Sequence, residues 1–383
     1  MNAGSSSLKL AVFELAATER RVAQAAVERI GADGGRLWVR DAAGEAIAER
    51  PVAAPDHAVA VREVLAELGR VEGADAPDAV GHRIVHGGPD QTAPARIDDR
   101  LLAALGALVP FAPLHLPAEI RCIEAIAARF PGAPQVACFD TAFHRAMPEI
   151  AQRLPLPRAL FDDGLRRYGF HGLSYEFVVS ELGAGSLGRA VLAHLGNGAS
   201  MAAVRDGAPI DTTMGFTPTG GLMMGTRSGD LDPGVLVHLL EHRGYDAARI
   251  DALVNQESGL LGVSGSSADM KTLLDREAED PSAAQAIAMY CQHLRKTIGA
   301  LAATLGGLDT LVFTGGIGEH AAPVRERACA GLAHLGIALD AELNRSHADV
   351  ISSPASRCRV RVVRTNEELM IARHTRSLVR RPS

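Results

Sequence analysis

A chain of 383 residues is long enough for two domains, and its 47% apolar and 22% charged content are those of an ordinary globular protein. A net charge of −6 gives no support for binding nucleic acid or an anionic membrane, and no apolar run approaches the ~20 residues of a membrane span. Five scattered cysteines (Cys122, Cys138, Cys291, Cys329, Cys358) without a C-x-x-C pair argue against disulfides and zinc and favour a reducing cytoplasm. The opening residues MNAGSSSLK lack the apolar core of a signal peptide. With 36 arginines against three lysines, an arginine alone says little about function.

Leu8, Leu10 and Val12 alternate with other residues as a strand requires, and strands are expected at 21–30 and 36–40. Val61, Leu65 and Leu68 recur at helical spacing up to Gly69. A strand at 78–86 stops at Gly87-Gly88-Pro89. Pro117 opens a helix that ends at Pro131-Gly132, and the short apolar run QVACF (135–139) delivers Asp140 at its C-terminal end. The second half repeats this order. Strands are expected at 189–195, 199–205 and 208–213, a helix over 282–305, a strand at 309–313, a helix over 322–334, a strand at 357–363 and a closing helix from Glu367. Two βββαβα units in succession predict a duplicated α/β protein. A full strand precedes the GNG turn of the second unit, whereas only Met1 precedes NAGSSS, so the first strand is expected to be largely missing.

There are three glycine-rich turns, HLGNGAS (194–200) and TGGIGEH (314–320) at the ends of expected strands and NAGSSS (2–7) where the largely missing first strand would end. Glycines let backbone N–H groups approach phosphate oxygens, so three such turns favour a nucleotide site over ordinary tight turns. Neither a P-loop nor a Rossmann fingerprint is present. The loop DTTMGFTPTGGLMMGTRSGDLDPG (211–234) is too long for a mere connection. Its Met and Leu residues can pack, and its one arginine, Arg227, held among glycines and hydroxyls, points to an oxyanion. Arg83 and His86 flank a strand end, His115 lies between prolines, and His171 precedes a glycine; rigid loops of this kind carry function.

Together NAGSSSLK, GHRIVHGG, FAPLHLP, FDTAFH, YGFHGLS, HLGNGAS, TGGLMMGTRSGDLDPG, TGGIGEH and TNEEL resemble the acetate kinase family, in the family's order and over essentially the whole chain. The resemblance implies two ribonuclease-H-like domains of the actin-like ATPase fold, residues 1–143 with 370–383 and residues 144–369, with the active site in the interdomain cleft. It implies reversible phosphoryl transfer between ATP and acetate, giving acetyl phosphate and ADP by in-line attack. Mg²⁺ is implied, with Mn²⁺ as a substitute, and so is a cytoplasmic homodimer.

The site residues implied by the resemblance are as follows. Arg83, Arg227, His171 and His115 act at the carboxylate and phosphoryl, and Asp140 is the family's assigned acid/base. Asn2 and Glu367 help hold the metal. Val85, Leu114, Phe170 and Pro218 surround the acetate methyl, with Arg83 at its carboxylate. Lys9, His194, Leu195, Gly196, Asn197, Gly198, Asp269, Met270, Lys271, Gly316, Ile317, Gly318, Glu319 and His320 bind the nucleotide. Acetate is already ionised at neutral pH, which favours for Asp140 the orientation of metal-bound water or of an arginine over proton transfer. Lys271 stands where the family usually has arginine, Leu116 where it has asparagine, and Thr219-Gly220 replace a bulkier pair. Propionate kinase or another short-chain acyl kinase, and from a different class a non-catalytic nucleotide-binding switch of the Hsp70/actin type, are the alternatives.

Overall fold

The computed structural model describes residues 1–4, 6–74 and 76–379. Ser5 of the first Gly-Ser turn, Asp75 and the last four residues of the first expected domain lie outside the described residues. The chain divides into two compact units, one from Met1–Phe143 together with the chain from Asn366 onward, the other from His144–Thr365.

In the first unit, β1 (Asn2–Ala3), β2 (Ser7–Leu15), β3 (Glu19–Glu28), β4 (Arg36–Asp41) and β5 (Ala46–Pro51) form an antiparallel sheet in sequence order. β5 was not legible in AIAERP, because its pattern is largely exposed and carries charge and proline rather than an apolar face. β6 (Val80–Ile84), β7 (Ala95–Arg96) and β8 (Gln135–Phe139) form a second sheet in the order β6-β8-β7, with β6 and β8 parallel. Every residue of β8 is buried, as a continuous apolar run in a parallel pair predicts. The Met1 ammonium donates to Gly81 O at 2.6 Å, and Arg83 N–H donates to Met1 O at 2.8 Å, so Met1 is bonded to β6.

The helix His57–Leu68 starts where Asp56 accepts the N–H of Val59, and it buries Val61, Val64 and Leu68. With Leu8, Val27, Leu37, Val39 and Ile126 these residues make one core cluster. The helix Glu367–Val379 packs on β2, β6 and β8. It comes so close to β6 that a Cβ at Gly81 would lie 2.5 Å from Ile371 Cγ2, which is why glycine occupies that strand position.

In the second unit, β9 (Arg189–Leu195), β10 (Ala199–Arg205), β11 (Ala208–Thr212), β12 (Thr310–Thr314) and β13 (Arg359–Val362) form one sheet in the order β11-β10-β9-β12-β13. β9 is central, antiparallel to β10 and parallel to β12. The helix Pro281–Leu305 is capped by Asp280, which accepts from Ser282 and Ala283 N–H, and it ends at Gly306 with φ 73°. It buries Ile287, Leu294, Ile298, Leu301 and Leu305 along one face. Each such side chain contributes about 1.5–3 kcal/mol on burial.

The loop after β11 is ordered by its own apolar residues, since Met214, Leu222, Met223 and Met224 are all buried. Asp230 accepts the N–H of Gly221 at 2.7 Å, and Asp232 caps the helix Pro233–His242 through Gly234 N–H. Two expectations need correction. Residues 315–320 form a helix rather than a glycine turn, and the helix expected over 322–334 stops at Cys329, after which Gly331 turns with φ 82°.

Candidate active site

In the first unit the candidate residues gather at the ends of β6 and β8. Asp140 follows β8 directly, and its N–H donates to Ile84 O at 2.9 Å, so the backbone ladder fixes where its carboxylate sits. Arg83 on β6 donates to Asp140 Oδ2 from Nε at 3.0 Å and from Nη2 at 2.5 Å. Arg83 Nη1 donates to Asn2 Oδ1 at 3.3 Å, and Asn2 Nδ2 donates to Glu367 Oε2 at 3.4 Å. Arg83, Asp140, Asn2 and Glu367 therefore form one continuous polar cluster. Burial opposes the charge on Arg83, but Asp140 and then Glu367 outweigh it, and its pKa rises above the ordinary arginine value. Burial likewise raises the pKa of Glu367 against the pull of Arg83.

Glu119, absent from the sequence reading, lies in the same region. It occupies the first turn of the helix Leu116–Arg129 and is buried. Both carboxyl oxygens accept the N–H of Val85, at 3.2 and 3.1 Å. Burial pushes its pKa up to about 8, with Arg83 acting against that rise. No local sequence signal distinguishes it, because a glutamate in a helix's first turn is expected on dipole grounds alone. His86 is structural, packed edge-on to Phe111 with its Nδ1 accepting from Gly88 N–H. His115 is half-buried at the start of the helix Leu116–Arg129, and Lys9 is exposed on β2.

In the second unit a second group forms around the turn after β9. His171 precedes the helix Gly172–Leu182 in the left-handed conformation, φ 58° and ψ 26°. Its Nδ1 lies 2.9 Å from Ser200 Oγ, and its ring stacks on His194 with centroids 4.2 Å apart. Arg227 donates from Nη1 to Pro218 O at 3.2 Å. A Cβ built on Gly198 would stand 3.3 Å from Arg227 Nη1 and 3.5 Å from His171 Nε2. A cation and an imidazole nitrogen thus converge on space that only glycine leaves open, the geometry an oxyanion needs. Asn197 O accepts from Gly225 N–H at 3.0 Å, tying this turn to the loop that carries Arg227.

The helix Gly315–His320 holds three glycines in six residues and is fixed by side chains from outside it. Glu319 Oε1 accepts from Gly315 N–H at 2.9 Å and from Thr365 N–H at 3.1 Å. Arg325, wholly buried and missed in the sequence among so many arginines, donates to the carbonyls of Gly318 (2.8 Å), Glu319 (3.0 Å) and Asn344 (2.7 Å) and to Asn344 Oδ1 (2.8 Å). Burial pushes its pKa down to about 10. Gly316 faces open space, and His320 is largely exposed. Asp269 caps the helix Met270–Arg276, Met270 is buried, and exposed Lys271 pairs with Asp275 at 2.5 Å.

Of the expected acyl-pocket residues, Val85 and Leu114 belong to the first unit and Phe170 and Pro218 to the second. Val85 and Phe170 are buried, Pro218 is half-buried, and Leu114 is 38% exposed. Thr219 directs its hydroxyl to Asn255 Oδ1 at 2.5 Å.

A duplicated α/β chain with glycine turns at its strand ends and basic residues clustered beside them defines a phosphotransferase of the actin-like ATPase class. The profile of the Acetokinase family matches residues 1–373. The chain is 45% identical to an acetate kinase of Methylocella silvestris over 394 residues, covering 99% of this chain and 97% of that protein. It is 46% identical to an acetate kinase of Streptomyces coelicolor over 395 residues, covering 99% and 96%. Among solved structures it matches Porphyromonas gingivalis acetate kinase with a TM-score of 0.89 at 41% identity, covering 99% and 98%. It matches a propionate kinase from Francisella tularensis with a TM-score of 0.91 at 35% identity, covering 98% of each chain. The chain belongs to the Acetokinase family, and so is a kinase whose phosphoryl acceptor is a carboxyl group.

Proposed function

We propose that the chain is an acetate kinase. An acetate carboxylate oxygen forms a bond to the γ-phosphorus of ATP as the bond to the β,γ-bridging oxygen breaks, giving acetyl phosphate and ADP, reversibly. The observation that carries this reading is the open space at Gly198, on which Arg227 Nη1 and His171 Nε2 converge. Bringing a carboxylate to a charged phosphate calls for cations and donors around a loose, in-line transition state. Arg227 and His171 meet the charge of the transferring group, and Arg83 and His115 act at the acceptor carboxylate and the phosphoryl.

Asp140 orients Arg83, a role supported by the two hydrogen bonds that its Oδ2 accepts from that guanidinium. Acetate needs no base to become a nucleophile. Contact with the acetate methyl is the role of Val85, Leu114, Phe170 and Pro218. The nucleotide is held by the turn from His194 through Leu195, Gly196 and Asn197 to Gly198, by Asp269, Met270 and Lys271, and by Gly316, Ile317, Gly318, Glu319 and His320, with Lys9 at the phosphates.

Asn2 and Glu367 would help hold Mg²⁺, or Mn²⁺ in its place. An amide oxygen and a half-buried carboxylate suit a hard cation that takes most of its ligands from water and phosphate. When bound, the metal neutralises charge on the β- and γ-phosphates.

The enzyme works as a homodimer in the cytoplasm. The helices Pro233–His242 and Ala247–Gln256 bury no residue in the single chain, and Leu231, Val235, Val237 and Leu240 are exposed there, which supports a covered face in the dimer. All five cysteines are free, and no helix of the described residues is long and apolar enough to cross a membrane.

Acetate is distinguished from propionate by one methylene, worth about 1–3 kcal/mol in an apolar pocket. Hydroxylamine trapping of acyl phosphate, run with MgATP and acetate, propionate or butyrate, tests the reading. The highest kcat/KM is expected with acetate, and no product when the metal is chelated. Preference for propionate would reassign the substrate. Absence of acyl phosphate with every acid would leave the non-catalytic switch instead.

A further inference from the structure

His171 stands in the left-handed backbone conformation that non-glycine residues rarely adopt, so tertiary contacts must hold it there. One such contact runs through its Nδ1 to Ser200 Oγ at 2.9 Å. Ser200 lies on β10 opposite His194, wholly buried, and its Oγ is also 2.5 Å from the hydroxyl of Tyr175. Tyr175 is buried one helical turn after His171, with its ring edge-on to His144. Three groups therefore form a chain, a buried phenol and a buried alcohol leading to the half-buried imidazole of His171.

We propose that Ser200 and Tyr175 are positioning residues that hold His171 in the tautomer carrying its proton on Nε2. A serine hydroxyl has one proton, so the chain can run in two orders. Either Tyr175 donates to Ser200 and Ser200 to Nδ1, or Nδ1–H donates to Ser200 and Ser200 to Tyr175. A phenol is much the stronger acid of the two hydroxyls and the better donor, which selects the first order. A neutral imidazole that accepts at Nδ1 bears its proton at Nε2. Nε2 is the atom 3.5 Å from where a Gly198 Cβ would be, beside Arg227 Nη1. The first order aims an N–H at that space. The second would aim a lone pair at the phosphoryl oxygens.

His194, stacked on His171, is wired differently. Its Nδ1 lies 2.8 Å from Ser174 Oγ, and Ser174 directs its own proton to Thr365 Oγ1 at 2.8 Å. His194 Nδ1 is therefore the donor, and the two neighbouring rings hold opposite tautomers. Of the pair, His171 is equipped to donate through Nε2.

The inference rests on the reading of His171 as a donor to the transferring phosphoryl. It is tested with Ser200→Ala, Tyr175→Phe, Ser200→Thr and, separately, His171→Ala, all in the full-length protein. ¹⁵N-histidine NMR should show native His171 protonated at Nε2, and a mixture of tautomers in Ser200→Ala. Ser200→Ala should lower kcat about 10- to 100-fold, less than the ~10²–10³ for removing a preorganised donor outright because the imidazole remains, with KM for ATP and acetate nearly unchanged. Tyr175→Phe should do less in the same direction, and Ser200→Thr should restore the native tautomer and most of kcat. Should Ser200→Ala not fold, Tyr175→Phe keeps the ring and tests the same proton order, with thermal melts as the check on folding. Native His171 protonated at Nδ1, or an unchanged tautomer and kcat in both folded variants, overturns the proposal. Full activity in His171→Ala would instead sink the donor reading itself, whatever the tautomer.

Discussion

Arg227 closes on Gly198 to the point where a Cβ on the glycine would lie 3.3 Å from the guanidinium Nη1. Gly198 is not among the glycines with positive φ, so its backbone accepts an alanine without strain. Gly198→Ala should therefore fold with a melting temperature within a few degrees of native, yet lose about 100-fold or more in kcat/KM, because the methyl occupies the anion's place. A variant that melts normally and turns over normally would show that the space is not used.

Removing the guanidinium of Arg227 should have a much larger effect. Arg227→Ala is expected to lower kcat by about 10³–10⁵, the range for an arginine that meets transition-state charge. Asp140→Asn keeps the shape beside Arg83 and weakens its hold. It should leave measurable activity and a pH–rate profile of native form, as assayed by acyl-phosphate trapping from pH 5 to 9. Disappearance of a titrating limb in Asp140→Asn would show that Asp140 moves a proton after all.

Glu119 makes stability depend on pH in the alkaline direction. Its carboxyl ordinarily ionises near 4.5, and burial in the folded chain raises this to about 8. Between those values the unfolded chain releases a proton that the folded chain keeps, so rising pH favours unfolding. Glu119→Gln still accepts from Val85 N–H and removes that dependence. Urea unfolding should give no advantage to Glu119→Gln near pH 4.5, a gain growing by about 1.4 kcal/mol per pH unit, and a plateau above pH 8. A gain independent of pH would mean that the native carboxyl is already ionised.

Two histidines act at the other end of the scale. Burial lowers His82 to about 3, aided by the charge of the N-terminus and opposed by its bond to Gln135. Burial lowers His144 to about 4 against its bond to Phe170 O. Below their ordinary value of 6.5 the unfolded chain takes up protons that both folded sites refuse, so stability falls as pH drops from 6.5 to about 4. One site lies in each unit. His82→Gln and His144→Gln should each flatten this acid limb in calorimetric scans, and a limb unchanged in both would assign it to other groups.

The elements legible in the sequence are those whose own residues dictate them. QVACF and RAVLAHL each carry a run of apolar residues (Val136–Phe139 and Ala190–Ala193), the long second-unit helix carries a clean stripe from Ile287 to Leu305, and Asp232 with Pro233 announces a helix start. The glycine, histidine and arginine motifs likewise stand out, because their residue types are unusual where they fall. The helix Gly315–His320 was not legible. Three glycines cost about 1 kcal/mol each in a helix, and the segment coils because Glu319 folds back on Gly315 while Arg325 takes the carbonyls at its far end. Glu119, Ser200 and Tyr175 were hidden for a related reason. Ser200 closes the HLGNGAS motif and Tyr175 follows YGFHGLS, but neither motif names their partners, and like Glu119 they take their meaning from residues 25 to 34 positions away.

The helix Glu367–Val379 rests on β2, β6 and β8 of the first unit, although the whole of the second unit separates it from them in sequence. During synthesis β2, β6 and β8 leave the ribosome early and must wait for the helix that covers them. At about 5–20 residues per second that wait lasts on the order of ten seconds or more, during which the apolar side of β8 lacks its cover. The second unit suffers no such delay, since its strands and its long helix are continuous in the chain. Unit two can mature first and unit one is completed last, so the step most exposed to chaperones and proteases in the cell is the docking of the final helix.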